Sequence, residues 1–292
     1  MNRKHFSHLL EINLAMLFIS TSGALGRFVD LPVPVTTASR GILAFLVLLL
    51  FCKWKGISLK VYKKDMPIVL LSGVLMGLHW LFYFYALKWS NVAVGMLSLF
   101  TYPVITAFLE PILLKTKLQR IHLLLGALVL GGIYFLSPDF DLDGSMTIAV
   151  GMGVLSAFSY ALRNVLMKSK VTQYHGTMLM VYQTAVIGVL LLPVLFFTEV
   201  STILNQWQGL LALAVITTAI GHSLFLITFK HFSITVVSIL SSIQPVYGIL
   251  IGMIFLNEIP EVTTVIGGIL IVSSVVIESF RSVKKQNVTV FD

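Results

Sequence analysis

The sequence predicts an all-α integral membrane protein, with ten transmembrane helices in two inverted five-helix repeats and both termini in the cytoplasm. Three observations support this prediction: a very apolar composition, ten long apolar runs, and an alternation of basic and acidic joints between the runs. Of the 292 residues, 57% are hydrophobic and only 11% are charged. Because a water-soluble domain carries roughly 25% charged residues, lipid must cover most of this chain.

Ten apolar runs are long enough to be membrane spans. A spanning helix needs about 20 mostly apolar residues to cross roughly 30 Å of hydrocarbon. The predicted spans are 9–28, 35–52, 67–87, 91–114, 121–137, 145–167, 176–197, 207–229, 233–256 and 262–280. The first run follows Arg3 and Lys4 as a secretory signal would, but Glu11 and Asn13 interrupt its apolar core. We therefore interpret it as a span that is retained in the protein.

The joints between the runs alternate in charge. Basic joints carry Arg3 and Lys4, then Lys53 to Lys64, Lys115 to Arg120, Lys168 and Lys170, Lys230, and Arg281 to Lys285. Acidic joints carry Asp30, then Asp139 to Asp143, Glu199, and Glu258 with Glu261, and Lys88 is the one basic residue on the acidic side. Since cytoplasmic loops are enriched in lysine and arginine, both termini are predicted to be cytoplasmic. The net charge of +8 therefore indicates membrane topology and not nucleic-acid binding.

Two stretches of the chain repeat each other. An offset of 142 residues pairs Lys88 with Lys230 and Pro103 with Pro245. This spacing predicts a duplication, with a first repeat over 1–138, a second over 144–281 and a cytoplasmic tail over 282–292. Five spans per repeat is an odd number, so the second repeat is inverted relative to the first. Inverted repeats with a site between them near the bilayer midplane are typical of secondary transporters.

No enzyme motif accompanies these spans. The sequence contains no G-x-x-x-x-G-K phosphate loop, no H-E-x-x-H metal motif and no G-x-S-x-G nucleophile turn. No joint exceeds about fifteen residues, which leaves no room for an extramembrane domain. Cys52 is the single cysteine, so no internal disulfide can form. We predict that the protein is not an enzyme and has no cofactor and no metal site.

The repeated prolines Pro103 and Pro245, the glycines Gly126 and Gly268, and the Asn257–Glu258 step point to a known family. With these residues, nearly the whole chain resembles the EamA-type carriers of the drug/metabolite transporter superfamily. The resemblance implies a cavity between the halves, lined by helices one, three, four, six, eight and nine, with helices five and ten outside it. It also implies transport of amino acids and other small metabolites, commonly outward.

Polar residues within the spans are the candidate site, because such residues seldom face lipid. The predicted substrate cavity contains Ser20, His79, Tyr83, Tyr102, Thr106, Ser159, Tyr160, Gln183, His222, Gln244 and Tyr247. The buried histidines could carry a coupling proton, or each could simply hold a neighbouring helix. Pro103 and Pro245 are predicted hinges, since each removes a backbone hydrogen bond from its helix.

Glu110 and Arg163 are the predicted gate. Both lie at a similar depth, about one helical turn from the basic ends of their spans. We expect them to pair and to close the cytoplasmic mouth of the cavity when the carrier faces outward, and to separate when it faces inward. The alternative is that each charge snorkels alone towards the membrane surface.

The predicted function is secondary transport of a small polar metabolite, with export of an amino acid or related compound as the leading expectation. Two alternatives stay open: a carrier for hydrophobic drugs or lipids, and a non-transporting sensor or assembly subunit. The predicted partners are a small-molecule substrate, the lipid bilayer and a coupling proton, with no nucleic acid. We expect a monomer or homodimer in a bacterial cytoplasmic membrane.

Overall fold

The structure is a computed structural model that describes residues 3–114, 120–137, 141, 143–228, 230, 237, 241 and 243–288. Within these ranges the regular elements are helices and no strand occurs, as predicted. In chain order they are α1 (Arg3–Phe28), α2 (Val33–Trp54), α3 (Met66–Trp89), α4 (Val92–Leu99), α5 (Tyr102–Leu114), α6 (Arg120–Leu136), α7 (Ser145–Lys168), α8 (Gly176–Leu195), α9 (Val200–Asn205), α10 (Trp207–Ala212), a π-helical segment (Leu213–His222), α11 (Ser223–Thr228), α12 (Gln244–Leu256) and α13 (Val262–Val288).

Six helical stretches in the described part of the chain are long and apolar enough to cross a membrane. They are Val33–Trp54, Met66–Trp89, Val92–Leu113, Ser145–Lys168, Gly176–Leu195 and Trp207–Thr228. Three shorter apolar helices cover Leu123–Leu136, Gln244–Leu256 and Val262–Ile277. The all-helical class is therefore confirmed, while the count of ten crossings and the placement of the termini stay predictions.

The predicted fourth span is not one continuous helix. Phe100 and Thr101 separate α4 from α5, and Pro103 is the second residue of α5. Proline fits the first turn of a helix, where its missing N–H is not needed, so the break precedes it. Pro245 occupies the same second position in α12. Residues 233–236, 238–240 and 242, which the ninth predicted span includes, lie outside the described residues.

The predicted eighth span also differs from a regular α-helix. Its middle ten residues form the π-helical segment, in which the turns are wider. The hydroxyls of Thr217 and Thr218 both donate to the carbonyl of Leu213, at 2.6 and 2.9 Å. At the end of the chain, α13 continues as far as Val288 and so runs through part of the predicted tail.

The main helix contacts join the first part of the chain to the second. α3 packs along α7, α2 along α8 and α6 along α13, while α1 packs against both α12 and the π-helical segment. Each of these pairs joins a helix that ends before residue 138 to an element that begins after residue 144. The largest buried side chains include Trp80, Phe84, Phe100 and Phe225, which belong to the same hydrophobic core.

Candidate functional site

A small enclosed cavity lies in this core, with a volume of about 10 Å³. That volume is at the lower limit for one water molecule, so the site is closed in this conformation. Its lining combines polar and aromatic side chains from both parts of the chain: Ile19, Ser22, His79, Trp80, Tyr83, Leu99, Tyr102, Tyr160, His222 and Gln244.

Six predicted cavity residues line this space: His79, Tyr83, Tyr102, Tyr160, His222 and Gln244. The other five predicted residues, which are Ser20, Thr106, Ser159, Gln183 and Tyr247, do not line it. The hydroxyls of Thr106 and Ser159 donate to backbone carbonyls four residues earlier in their own helices. Serine and threonine hydroxyls commonly bond to their own helix in this way, so the hydrogen bonds of both residues are satisfied without a solute.

His79 links α3 to α7. The hydroxyl of Ser156 donates to the backbone carbonyl of His79 at 2.9 Å, and the Nδ1 of His79 lies 2.7 Å from the same hydroxyl oxygen. The His79 ring also stacks on Tyr160, with ring centroids 4.5 Å apart. His79 therefore holds two helices together beside the cavity.

Two buried polar atoms at the cavity have no hydrogen-bond partner among the described residues. They are Nδ1 of His222, at the end of the π-helical segment, and Nε1 of Trp80, on α3. The two rings lie 6.0 Å apart between centroids. An unsatisfied buried polar atom typically costs about 1–3 kcal/mol. A polar ligand in an enlarged cavity could satisfy both atoms.

Arg40 of α2 is completely buried behind the Trp80 wall of the cavity. Its guanidinium lies over the Trp80 ring at 3.9 Å and donates from Nη1 to the hydroxyl of Ser22 at 3.2 Å. Nε donates to Thr218 at 2.7 Å and Nη2 donates to Thr217 at 2.9 Å. These two hydroxyls direct their own protons to the Leu213 carbonyl, so Arg40 ties α2 to the π-helical segment.

Arg163 of α7 is also completely buried, which excludes the snorkelling alternative for this residue in this conformation. Its Nη2 and Nε donate to the side-chain carbonyl of Gln183 at 2.7 and 3.2 Å, and Nη1 donates to Asn164 at 2.8 Å. Gln183 in turn donates to the hydroxyl of Ser72 at 3.0 Å. Gln183 therefore supports Arg163 instead of lining the cavity.

The predicted pair of Glu110 and Arg163 is not formed. Glu110 lies 3.2 Å from the ammonium of Lys168, which is five residues after Arg163 on α7. Both members of the Glu110–Lys168 pair are partly exposed. In this conformation Arg163 points into the core towards Gln183, while Lys168, nearer the helix end, meets the carboxylate.

A second charged contact lies where α3 ends. Glu258 accepts from Nε of Arg27 at 2.9 Å and from the backbone N–H of Val92 at 2.7 Å. Asn257 directs this carboxylate, because its left-handed backbone (φ 56°) ends α12 and turns the chain. The Asn257–Glu258 step is visible in the sequence, but its partner Arg27 depends on how the two halves pack.

At the opposite end of α3, Asp65 is a third contact between the halves. Its carboxylate accepts from Lys170 at 2.7 Å and from the hydroxyl of Tyr174 at 2.6 Å. The sequence patterns did not indicate this cluster, and they did not assign Trp80 and Ser22 to the cavity. Within the described ranges, no group of three or more histidine, cysteine, aspartate or glutamate side chains is placed to hold a metal ion.

Comparison with known proteins agrees with this architecture. The EamA-like transporter family matches the chain twice, over residues 8–137 and 147–280. The chain belongs to the EamA-like transporter family. It is a membrane transporter, and its family resemblance is therefore confirmed.

Individual relatives of this EamA-like chain are distant. It is 27% identical to the pseudopaline exporter of Pseudomonas aeruginosa (strain UCBPP-PA14) over 244 residues, which cover 83% of this chain and 84% of the exporter. It is 26% identical to the threonine/homoserine exporter of Salmonella typhimurium (strain LT2), covering 86% and 83% of the two chains. A solved crystal structure shares the fold with a TM-score of 0.69 at 18% identity, covering 94% of this chain and 98% of the other.

Proposed function

We propose that this transporter is a secondary carrier that exports a small polar metabolite, such as an amino acid or a related compound. The observation that carries the proposal is the central cavity, whose polar lining comes from both parts of the chain. A polar site buried between two halves is the arrangement that alternating access requires. The relatives named as exporters support the outward direction.

The proposed architecture has ten spans in two inverted repeats, over 1–138 and 144–281. Support comes from the two family matches, which divide the chain at the same place. The helix contacts also support it. The 142-residue offset pairs α3 with the part of the chain that contains the π-helical segment, and it pairs α7 with α1. α3 packs along α7, and the π-helical segment packs against α1 in the same way. The proposed location is the cytoplasmic membrane of a bacterium, with both termini in the cytoplasm, as a monomer or homodimer.

Charged contacts at the two ends of α3 are the proposed gates. Arg27–Glu258 joins the halves at one end, while Asp65–Lys170 and Glu110–Lys168 join them at the other. Alternating access would open one set while the other stays closed, about the helix breaks at Pro103 and Pro245. A coupling proton is part of the proposal. Among the two cavity histidines, Nδ1 of His79 is engaged by Ser156, while Nδ1 of His222 has no partner among the described residues.

Counterflow in liposomes tests the proposal. Purified protein should exchange at least one labelled amino acid or related metabolite across the bilayer, while protein-free liposomes should not. Gln244→Ala should slow this exchange roughly fivefold, which corresponds to about 1 kcal/mol for one lost hydrogen bond. Gln208→Ala is the matched control, because Gln208 is exposed on α10 and is not part of the cavity lining. Absence of exchange for every small polar solute would contradict the proposal.

A carrier for hydrophobic solutes is the second candidate. It is favoured by an apolar groove of about 550 Å³ between α2 and the π-helical segment, with Lys55 and His175 among its lining residues. The groove is lined mainly by Val47, Leu48, Phe51, Val215, Leu224 and Ile227. Adding a hydrophobic dye such as ethidium to the liposome panel separates the candidates. Uptake of ethidium without exchange of any amino acid would favour the second.

A further inference from the structure

Two buried arginines flank the cavity, and neither has an acidic partner among the described residues. Arg40 and Arg163 are each 0% exposed. All the hydrogen bonds described for Arg40 go to hydroxyls, and those of Arg163 go to side-chain amides and a methionine sulfur. Charged side chains at membrane depth usually pair with an opposite charge. Here two positive charges lie in the core with neutral partners.

Carboxylates elsewhere in the described part of the chain do not compensate these charges. The ion pairs among the described residues use other groups: His8–Glu11, Arg27–Glu258, Lys88–Asp30, Lys168–Glu110 and Lys170–Asp65. The described cavity lining itself contains no aspartate or glutamate. The core around the cavity therefore has a net positive charge.

Both guanidinium groups lie against residues that line the cavity. Arg40 packs on the Trp80 ring and donates to Ser22, and both of these residues line the space. Arg163 lies 5.9 Å from the centroid of the Tyr160 ring, which also belongs to the wall. The two rings that the guanidiniums approach also lie beside His222, with centroid distances of 6.0 Å for Trp80 and 6.4 Å for Tyr160. A solute between these rings would feel both charges in a medium that screens poorly.

The unsatisfied atoms at the cavity point to the same kind of solute. Trp80 Nε1 is buried without a partner among the described residues, and an indole N–H can only donate. It therefore requires an acceptor, which a carboxylate oxygen would provide. An ammonium group would find no carboxylate in the described lining and would lie close to two guanidiniums.

We propose that the solute carried at this site has a net negative charge and bears at least two carboxylate groups, whose charge Arg40 and Arg163 compensate. This inference rests on the proposed carrier function and narrows it to a substrate class. A dicarboxylate has one carboxylate for the side of the cavity near Arg40 and a second for the side near Arg163. A simple zwitterionic amino acid offers only one carboxylate and adds an ammonium that the described site does not complement.

A charge series on the unmodified protein tests the inference without any variant. Counterflow in liposomes at neutral pH should be measured for dicarboxylates (glutamate, aspartate, succinate, malate), zwitterions (threonine, serine, glutamine) and cations (lysine, arginine). We expect the best dicarboxylate to exchange about tenfold or more faster than the best zwitterion, because the two guanidiniums attract the second negative charge in a medium that screens poorly. Cations should not exceed protein-free liposomes.

The outcomes separate the two proposals. A zwitterion or cation that exchanges as fast as the best dicarboxylate would overturn the inference and leave the carrier function intact. Exchange of no solute at all would overturn the carrier function and the inference with it.

Variants of the arginines add a readout that a purely structural role would not change. Arg40→Gln and Arg163→Gln should each lower the ratio of dicarboxylate to zwitterion exchange about tenfold, because each removes one buried positive charge. Arg120→Gln is the matched control, since Arg120 is exposed at the start of α6. An equal loss of exchange for both classes of solute would contradict the inference. If either variant fails to fold, the charge series on the unmodified protein still decides.

Discussion

At the residue scale, Asp65 illustrates how a single carboxylate can join the two halves. It precedes the first turn of α3, is only 4% exposed, and accepts hydrogen bonds from Lys170 and Tyr174 of the second half. The hydrogen bonds from Lys170 and Tyr174 hold the pKa of Asp65 below its ordinary value of 3.8. A carboxylate with a lowered pKa stabilises the folded protein as long as it is ionised.

We predict that Asp65→Asn lowers the melting temperature of the purified protein at neutral pH, because the amide cannot pair with the Lys170 ammonium. Since the folded-state pKa is lowered, the contribution of Asp65 is fully present above the ordinary pKa and disappears as the pH falls through the lowered value. The difference between the two proteins should therefore be constant near neutrality and shrink below pH 3.8. Asp143→Asn, at an exposed position, is the control. A difference that is unchanged in acid would contradict the prediction.

The Glu110–Lys168 pair gives a second prediction at this scale. Glu110→Lys and Lys168→Glu should each slow liposome exchange, and the double swap should restore much of it. The pair is partly exposed, so its worth is about 0.5–1 kcal/mol, or roughly a two- to fivefold change in rate. The swap Glu110→Arg with Arg163→Glu serves as the control and should give no recovery. If the first swap is no better than its single variants, the pair has no gating role.

Residue types on a shared helical face could be predicted from the sequence, but their partners could not. His79, Tyr83, Tyr102 and Tyr160 reach the cavity because helical periodicity places them on inward faces. The partner of Glu110 on α7 is Lys168 and not the expected arginine five residues earlier. That choice depends on how two helices are rotated and on the reach of each side chain, and sequence spacing within one helix contains neither quantity.

At the element scale, irregular helices surround the cavity. The break between α4 and α5 could be anticipated because a proline follows it. The π-helical segment could not, because it depends on contacts with Arg40 of α2 that the sequence of Leu213–His222 does not reveal. Its wide turns are held by tertiary contacts: Arg40 engages the hydroxyls of Thr217 and Thr218, which both donate to one carbonyl. π-Helical turns are frequent at functional sites.

Close packing of α4 on α7 gives a prediction at the element scale. A Cβ atom added at Gly153 would collide with the Oγ and Cβ atoms of the buried Ser98 on α4. Gly153→Ala should therefore force α4 away from α7 and destabilise the protein by about 1–3 kcal/mol, as overpacking usually does. Thermal melting in detergent measures the effect.

Gly151→Ala is the matched control for this prediction, because it makes the same change two residues away in the same helix. A Cβ atom at Gly151 has nothing within 4 Å. The melting temperature of the Gly151→Ala variant should stay at or slightly above that of the unmodified protein, since alanine has a higher helix propensity than glycine. Equal melting of the two variants would mean that the α4–α7 contact tolerates expansion.

At the scale of the whole molecule, three contacts between joints each connect partners that are predicted to lie on the same side of the membrane. Arg27, near the first joint, meets Glu258 of the ninth, and Lys88 of the third joint donates to the Val29 carbonyl of the first. All three joints are predicted to face outward. Asp65 of the second joint meets Lys170 of the sixth, and both are predicted to face the cytoplasm. In these contacts the fold brings together joints that the charge pattern assigns to one side.

The last prediction tests this topology directly. Reporter fusions at Asp292 and at Lys60 should both report the cytoplasm, and a fusion at Asp141 should report the opposite side. The reason is that basic joints stay cytoplasmic, and that five spans per repeat place Asp141, at the junction of the repeats, across the membrane from both. Two reporters at each position, one active only inside the cytoplasm and one active only outside it, serve as an internal control. If Asp141 and Asp292 report the same side, the number of spans between them is even, and the second repeat is not an inverted copy of the first.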